Sequence, residues 1–269
     1  MTRPAAAPRS LPGPTALVAH QFRYDLLAFT RNRQSRFFTL ALPIAFLLIF
    51  ATVFRNRTAA VPGGRISISV YYVPGIIALG IISAALSNLA LSVTAQRESG
   101  ILKRRRAAPV PAGVLIAGRA LTAASVAVVM TVILAAIGWL LYGAHLPARH
   151  VPALLLTVLA GAASFGCLGF ALTSVIRDDD AANPVITAVT LPLYFISGVF
   201  LPAPLLPHWL VQVAGIFPVR HFQLALLAAY NPHSATTGLA GRDLEIMAGW
   251  GAAGLLIAAR RFRWTPQSS

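Results

Sequence analysis

The chain has 269 residues, of which 57% are hydrophobic and only 11% are charged. A soluble domain carries roughly 25% charged residues, so this composition excludes an ordinary soluble protein and predicts an all-α integral membrane protein. The net charge of +15 does not indicate nucleic-acid binding, because the basic residues cluster at the ends of apolar runs. The single cysteine, Cys167, excludes an intrachain disulfide.

The N-terminal region precedes the first long apolar run. Residues 1–14 lack the continuous apolar core of a signal peptide and are predicted to be a disordered cytoplasmic tail. Within residues 15–36, Val18, Phe22 and Phe29 fall on one helical stripe. This pattern predicts an amphipathic helix in the membrane interface, and a solvated helix leading into the first span is the alternative.

Apolar runs, uncharged except for Glu245 at the outer end of the last one, divide most of the remaining chain into six predicted membrane spans. The loop after the first span contains Pro62, Gly63 and Gly64, and residues 265–269 form a short C-terminal tail. Residues 15–264 are therefore predicted to be a single six-span domain. The predicted spans are residues 37–54, 71–95, 121–142, 151–176, 181–201 and 244–259.

The segment after the fifth span is apolar but rich in proline. Pro202, Pro204 and Pro207 interrupt it, and the apolar stretch that follows is too short to cross a bilayer. Irregular backbone at membrane depth persists only where it is buried or lines water, so residues 202–218 are predicted to be a re-entrant segment closing an outer gate. The predicted gate residues are Ser197, Gly198, Phe200, Pro202, Pro207, Trp209 and Pro218.

The distribution of basic residues predicts the orientation. Of the 22 lysines and arginines, 16 fall on the side of the two termini and six on the opposite side. The positive-inside rule then places both termini in the cytoplasm, for a multi-pass protein of the plasma membrane. Residues 97–106, called the basic island below, lie on the same side, between the second and third spans.

The polar residues in the interior of the predicted spans are weakly polar and uncharged. No Asp, Glu, Lys or Arg lies in the middle of any span, which argues against an ion-coupled carrier. Ser83, Ser87 and Asn88 in the second span either pack helices together or line a pathway. Small residues in the fourth and last spans indicate close helix contacts; these are Gly161, Ser164, Gly166, Gly169, Gly249, Ala253 and Gly254.

No catalytic or metal-binding constellation is found, so an enzyme is not expected. His145 and His150 lack the spacing of a helical metal pair. His208, His221 and His233 are predicted to be scattered across outer loops. The run Asp178 to Asp180 caps a helix or, alternatively, binds a divalent ion. The only lysine, Lys103, follows leucine instead of glycine, so the chain has no phosphate-binding loop of the G-x-x-x-x-G-K-[ST] type.

Two stretches resemble type-2 permease subunits of ABC transporters, and the likeness covers about residues 15–264. The first is Arg97-Glu98-Ser99-Gly100-Ile101-Leu102-Lys103-Arg104, followed by Ala108-Pro109-Val110 and Gly118-Arg119. The second is Phe195-Ile196-Ser197-Gly198-Val199-Phe200-Leu201-Pro202, followed by Leu206-Pro207-His208-Trp209-Leu210 and Phe217-Pro218. Within the family, the chain is most similar to the daunorubicin-type drug efflux permeases.

The resemblance implies a coupling helix within the basic island, which we expect between Glu98 and Leu102. In the family this helix docks in a groove of a separate ABC ATPase subunit, which holds ATP and Mg, and two permease copies face each other in the lipid bilayer. This chain is therefore expected to bind no cofactor itself. The residues expected to couple to the ATPase are Arg97, Glu98, Gly100, Ile101, Leu102, Lys103 and Arg104.

The resulting functional prediction is the transmembrane subunit of an ATP-driven exporter. Its cargo is expected to be an amphiphilic or hydrophobic compound, such as a drug or natural product, leaving the cytoplasm or inner leaflet. Two alternatives remain at this stage: a lipid or glycan exporter of the same architecture, and a membrane scaffold that transports nothing.

Overall fold

The computed structural model describes residues 13–101, 112–176, 178–202, 205–234 and 237–261, and it is mainly helical. Residues 1–12 of the predicted tail at 1–14, and the whole predicted tail at 265–269, lie outside the described residues, whereas Pro14 already belongs to the first helix. Two helices carry π-helical segments, π1 (Phe37–Ala41) and π2 (Ser83–Ser87). The α-helices are α1 (Pro14–Arg31), α2 (Arg33–Arg36), α3 (Leu42–Val53), α4 (Ile68–Ile82), α5 (Asn88–Glu98), α6 (Ala112–Tyr142), α7 (Val151–Thr173), α8 (Asp179–Ile196), α9 (His208–Ala214), α10 (Pro218–Tyr230) and α11 (Gly241–Arg261).

The first helix, α1, packs against α6. Its N-terminus follows from the sequence, because Pro14 occupies a first-turn position where its missing N–H costs no hydrogen bond. On α6, a Cβ atom added at Gly118 would lie 2.5 Å from the Cγ atom of Gln21, so the glycine permits the close approach. The predicted helix over residues 15–36 is present but interrupted at Asn32, where ψ is 102°.

The centre of the bundle is the continuous helical stretch of α4, π2 and α5, Ile68–Glu98, which has 31 residues. Ser67 begins it by accepting a hydrogen bond from the backbone N–H of Val70 at 3.3 Å. Every residue of α4 except Val70 is buried. A helix that is apolar around its whole circumference belongs in the interior, and α3, α6 and α10 accordingly surround it.

Small residues bring α7 and α11 close together. A Cβ atom added at Gly254 would lie 3.0 Å from the backbone carbonyl carbon of Cys167. Near the same seam, Ser164 Oγ donates a hydrogen bond to the carbonyl oxygen of Met247 at 2.7 Å. The predicted close contacts are present at Gly161, Gly169 and Gly254, whereas an added Cβ atom would meet nothing within 4 Å at Gly166 and Gly249.

Three described helices are long and apolar enough to cross a membrane: Ile68–Glu98, Ile116–Tyr142 and Ala148–Thr173. They correspond to the second, third and fourth predicted spans. The first predicted span corresponds to a shorter apolar helix, Thr39–Val53, and the fifth and sixth to α8 and α11, which carry charged residues. The protein is thus a helical membrane protein, and the count of six spans stays a prediction.

The proline-rich segment differs in extent from the prediction. The short helix α9 is followed by α10, and the two axes are bent by 95°. His221 is predicted to lie in an outer loop, but Pro218 begins a helix that buries Phe222, Leu226 and Tyr230 completely. His221 therefore lies on a packed helix, and its prediction as an outer-loop histidine is wrong.

The loop after α3 contains a small β-hairpin that the sequence analysis misses. Strands β1 (Thr58–Val61) and β2 (Gly64–Ser67) pair antiparallel, with Thr58 opposite Ser67. Gly63 in the turn has a φ of 87°, a conformation that favours glycine. The hairpin packs on the segment after α10, where the side-chain amide of Asn231 donates to the carbonyl oxygen of Pro62 at 2.8 Å.

Candidate functional site

An open groove of about 460 Å³ lies between α3 and α8, with α4 and π2 as its floor. Leu191, Phe195 and Leu201 at its rim are exposed. The size lies in the range of small-molecule sites. The lining residues are Leu42, Phe46, Phe50, Phe54, Tyr72, Leu79, Ser83, Ser87, Thr187, Thr190, Leu191, Tyr194, Phe195, Phe200 and Leu201.

The groove is aromatic at the end nearer the hairpin. The rings of Phe50 and Tyr72 stack with centroids 5.2 Å apart, and Phe46 meets Phe200 edge to face at 5.7 Å. Apart from tyrosines, the lining contains no ionisable side chain. Such a surface accommodates apolar and planar groups and gives no charge to bind an ion.

Hydroxyl groups lie at the other end of the groove, nearer the basic island. Ser83 and Ser87 come from π2, and Thr187 and Thr190 come from α8. The Thr190 hydroxyl already donates to the carbonyl oxygen of Ile186 within its own helix, at 2.9 Å. The groove thus has a mildly polar end and an aromatic end.

The predicted second-span residues divide into two roles. Ser83 and Ser87 line the groove, whereas the Asn88 side-chain amide donates to Thr39 Oγ1 at 2.6 Å. Thr39 lies in π1 and is completely buried. This bond joins π1 to the first residue of α5, directly after π2. π-helical segments are often found at functional sites.

Part of the predicted outer gate forms a buried turn after α8. The Tyr71 hydroxyl donates to the carbonyl oxygen of Gly198 at 2.9 Å, and the Tyr72 hydroxyl donates to that of Phe200 at 3.0 Å. Gly198 has a φ of 95°, and Ser197 is 2% exposed. Together with the buried Pro202, these residues hold the turn against α4, and Phe200 reaches into the groove.

The other predicted gate residues follow this turn in the chain and lie around the junction of α9 and α10. Pro207 precedes α9, Trp209 is 63% exposed on α9, and Pro218 begins α10. We call residues 215–217 between the two helices the bend. The structure therefore places the predicted gate residues in two separate groups.

The side chains of His221 and Trp250, which are not among the predicted gate residues, hold the bend. The ring of His221 contacts the carbonyl oxygen of Gly215 at 2.8 Å and the carboxylate of Asp243 at 2.7 Å. The Trp250 indole N–H donates to the carbonyl oxygen of Ile216 at 2.9 Å. Asp243 and Trp250 belong to α11 and lie 22 and 34 residues from their partners His221 and Ile216, so no local sequence signal could have identified these two contacts.

The basic island begins with a side chain that is inside the protein. Arg97 is 1% exposed, and its guanidinium contacts Glu98, the neighbouring residue. Helix α5 ends at Glu98, and Gly100 follows with a φ of 71°, so the expected helix from Glu98 to Leu102 is interrupted. Ile101 is 40% exposed, and Leu102, Lys103 and Arg104 lie outside the described residues.

The acidic run at residues 178–180 caps a helix. The Asp178 carboxylate accepts a hydrogen bond from the backbone N–H of Ala181 at 2.7 Å, at the start of α8. This confirms the capping interpretation. Within the described ranges, no group of three or more His, Cys, Asp or Glu side chains is arranged to hold a metal ion.

Comparison with known proteins identifies the family. The model of the ABC-2 type transporter family matches residues 17–230, a range that includes the groove helices and the bend. Two similar proteins are the probable multidrug ABC transporter permeases YbhR of Escherichia coli strain K12 and of Escherichia coli O157:H7. Each is 26% identical over 153 residues, which is 56% of this chain and 41% of the relative.

The matched segment therefore spans well under half the length of these two relatives. The family match, in contrast, extends from α1 to the end of α10 and covers most of the chain. On this evidence, the chain belongs to the ABC-2 type transporter family.

Proposed function

We propose that the chain is the transmembrane subunit of an ATP-driven exporter that moves amphiphilic or hydrophobic compounds. The observation that carries the proposal is the groove, which combines an aromatic end with a mildly polar end and contains no fixed charge. An amphiphile with a planar apolar part and hydroxyl groups matches both ends. The names of the two Escherichia coli relatives as probable multidrug permeases and the likeness to daunorubicin-type permeases support the same substrate class.

The proposed topology has six spans, with both termini in the cytoplasm of a plasma-membrane protein. Helices Thr39–Val53, α8 and α11 provide the three crossings beyond the three long apolar helices. The bent pair α9 and α10 is then a re-entrant segment on the outer side. The charge bias of 16 to six basic residues across the membrane supports this orientation.

Energy is proposed to come from a separate ABC ATPase subunit that carries ATP and Mg. The chain has no phosphate-binding loop, and the exposed Ile101 gives the basic island an apolar contact point. Nucleotide-driven closure of the partner would move the island and change the populations of inward-open and outward-open states. The turn at residues 197–202 and the bend close the outer end of the pathway.

A second permease copy is proposed to complete the pathway. The groove is open on one side, and the exposed rim residues of α8 border it. A copy facing this side would enclose the groove within the lipid bilayer. We propose a homodimer or a pair with a close relative.

The deciding experiment is purification of the chain from its native membranes, followed by assay of ATP hydrolysis and of daunorubicin uptake into inverted vesicles. We expect an ATPase to co-purify and daunorubicin to accumulate only with ATP. Ile101→Asp should reduce recovery of the ATPase. The control Val175→Asp places the same charge on an exposed residue outside the island and should not.

The outcomes separate the alternatives. The lipid exporter would be favoured if an ATPase co-purifies and a fluorescent phospholipid is moved, while daunorubicin stays outside the vesicles. A well-folded chain that binds an ATPase without any substrate-stimulated hydrolysis would favour the scaffold.

A further inference from the structure

Arg97 is the largest completely buried side chain among the described residues. A charged group is costly to bury unless hydrogen bonds and an opposite charge satisfy it. Here the Nε atom donates to the Glu98 carboxylate at 2.7 Å. The burial excludes direct contact between this guanidinium and a partner protein in the conformation described.

The rest of the guanidinium binds the end of α7. Nη1 donates to the carbonyl oxygen of Thr173 and Nη2 to that of Ile176, both at 2.8 Å. Thr173 is the last residue of α7, and Ile176 lies in the turn that follows. Carbonyl groups at a helix C-terminus lack partners within the helix and carry the negative end of its dipole, so a cation is stabilised there.

A second contact joins α7 to π2, the segment that continues directly into α5, and on α7 it lies one turn before Thr173. A Cβ atom added at Gly169 of α7 would lie 2.9 Å from the carbonyl oxygen of Leu86 in π2. The backbones of α7 and π2 therefore touch, and the lining residues Ser83 and Ser87 belong to that segment. Along the paired helices, Arg97 lies nearer the basic island and Gly169 lies nearer the groove.

We propose that Arg97 is a positioning residue that fastens the island end of α5 to the end of α7, so that the two helices move as one body. This inference rests on the proposed function. A displacement of the basic island by an ATPase then reaches π2 and the groove through both helices. Glu98 holds the guanidinium in the orientation that reaches both carbonyl oxygens.

The test uses the full complex with its co-purified ATPase in lipid nanodiscs, with Cys167→Ala to remove the native thiol. One pair of spin labels at Ser99 and Val175 reports on the junction of α5 and α7. A second pair at Ile49 and Val189 reports on the separation of α3 and α8. Labelled copies are diluted with an excess of unlabelled copies, and distances are measured without nucleotide and with ADP and vanadate.

In the unsubstituted protein we expect trapping with ADP and vanadate to change the Ile49–Val189 distance and to leave the Ser99–Val175 distance unchanged. In complexes that contain the ATPase, Arg97→Gln should broaden the distribution of the Ser99–Val175 distance and abolish the nucleotide-dependent change in the Ile49–Val189 distance. Arg97→Lys keeps the charge but loses the planar pair of donors, and we expect a partial change. The exposed Arg260→Gln is the matched control and should change nothing.

Two results would overturn the inference. One is a Ser99–Val175 distance that changes on trapping in the unsubstituted protein, because α5 and α7 would then move separately. The other is a full nucleotide-dependent change of the Ile49–Val189 distance in Arg97→Gln. If no ATPase co-purifies with the unsubstituted chain, the proposed function fails instead, and the inference fails with it.

Discussion

Gly198 occupies a position that only glycine fits. Its φ is 95°, and an added Cβ atom would lie 3.1 Å from the Tyr71 hydroxyl oxygen. Gly198→Ala should therefore lower the free energy of unfolding by about 1 to 3 kcal/mol through backbone strain. Thermal unfolding in detergent measures the effect. The control Gly166→Ala introduces the same methyl group into a helix where it meets nothing within 4 Å, and it should not destabilise.

The bond between Asn88 and Thr39 can be tested by a double-mutant cycle. Asn88→Leu leaves a completely buried hydroxyl without its partner, so we expect a loss of about 1 to 3 kcal/mol in stability. Thr39→Val in the same chain removes the orphaned hydroxyl and should restore part of that loss. Purely additive losses in the double variant would show that this bond does not connect π1 to the start of α5.

At the scale of elements, the seam between α7 and α11 depends on the absence of side chains. Gly254→Leu would place its Cβ atom 3.0 Å from the backbone of Cys167, so the two helices must separate. Overpacking of this kind costs about 1 to 3 kcal/mol. Gly249→Leu on the same helix is the control, because its Cβ atom meets nothing within 4 Å. Equal unfolding temperatures for the two variants would contradict the close packing at Gly254.

The bend is an element whose shape depends on α11. Trp250→Phe removes the hydrogen bond to the carbonyl oxygen of Ile216 but keeps an aromatic ring beside Phe217. We expect faster hydrogen exchange in residues 215–219 and unchanged exchange in α7. Trp209→Phe alters an exposed tryptophan on α9 and serves as the control. Unchanged exchange at the bend in Trp250→Phe would show that α11 does not fix it.

At the scale of the whole molecule, transport is proposed to depend on the open groove. Thr187→Trp fills it from α8 and should abolish ATP-dependent daunorubicin uptake into inverted vesicles while an ATPase still co-purifies. Val189→Trp adds the same ring to α8 at an exposed position that does not line the groove, and uptake should persist. Normal uptake in Thr187→Trp would exclude the groove as the pathway.

Much of the architecture follows from local sequence patterns. The three long apolar helices correspond to uncharged runs, because a helix that crosses a bilayer must exclude charge over about 20 residues. The cap at Asp178 was also predictable, since an aspartate before a helical run commonly accepts a backbone hydrogen bond. The family resemblance also follows from local sequence, because it depends on the two short stretches that begin at Arg97 and Phe195.

Helix α10 and the hairpin show where local patterns are insufficient. Pro218 reads as a helix breaker in a single sequence, yet proline is equally suited to the first turn of a new helix. The β-hairpin has only four residues per strand, and contacts such as that between Asn231 and Pro62 hold it in place. Such partners are about 170 residues apart, and a local window cannot include both.

The sequence by itself determined the membrane class, the long apolar helices, the position of the basic island and the family likeness, because each depends on residues that are adjacent in the chain. Only the tertiary structure decided that Arg97 is buried against the end of α7, that Ser83 and Phe200 line one groove, and that α11 holds the bend. Each of these features joins helices from different parts of the chain. Their geometry depends on how the helices pack, which no local pattern specifies.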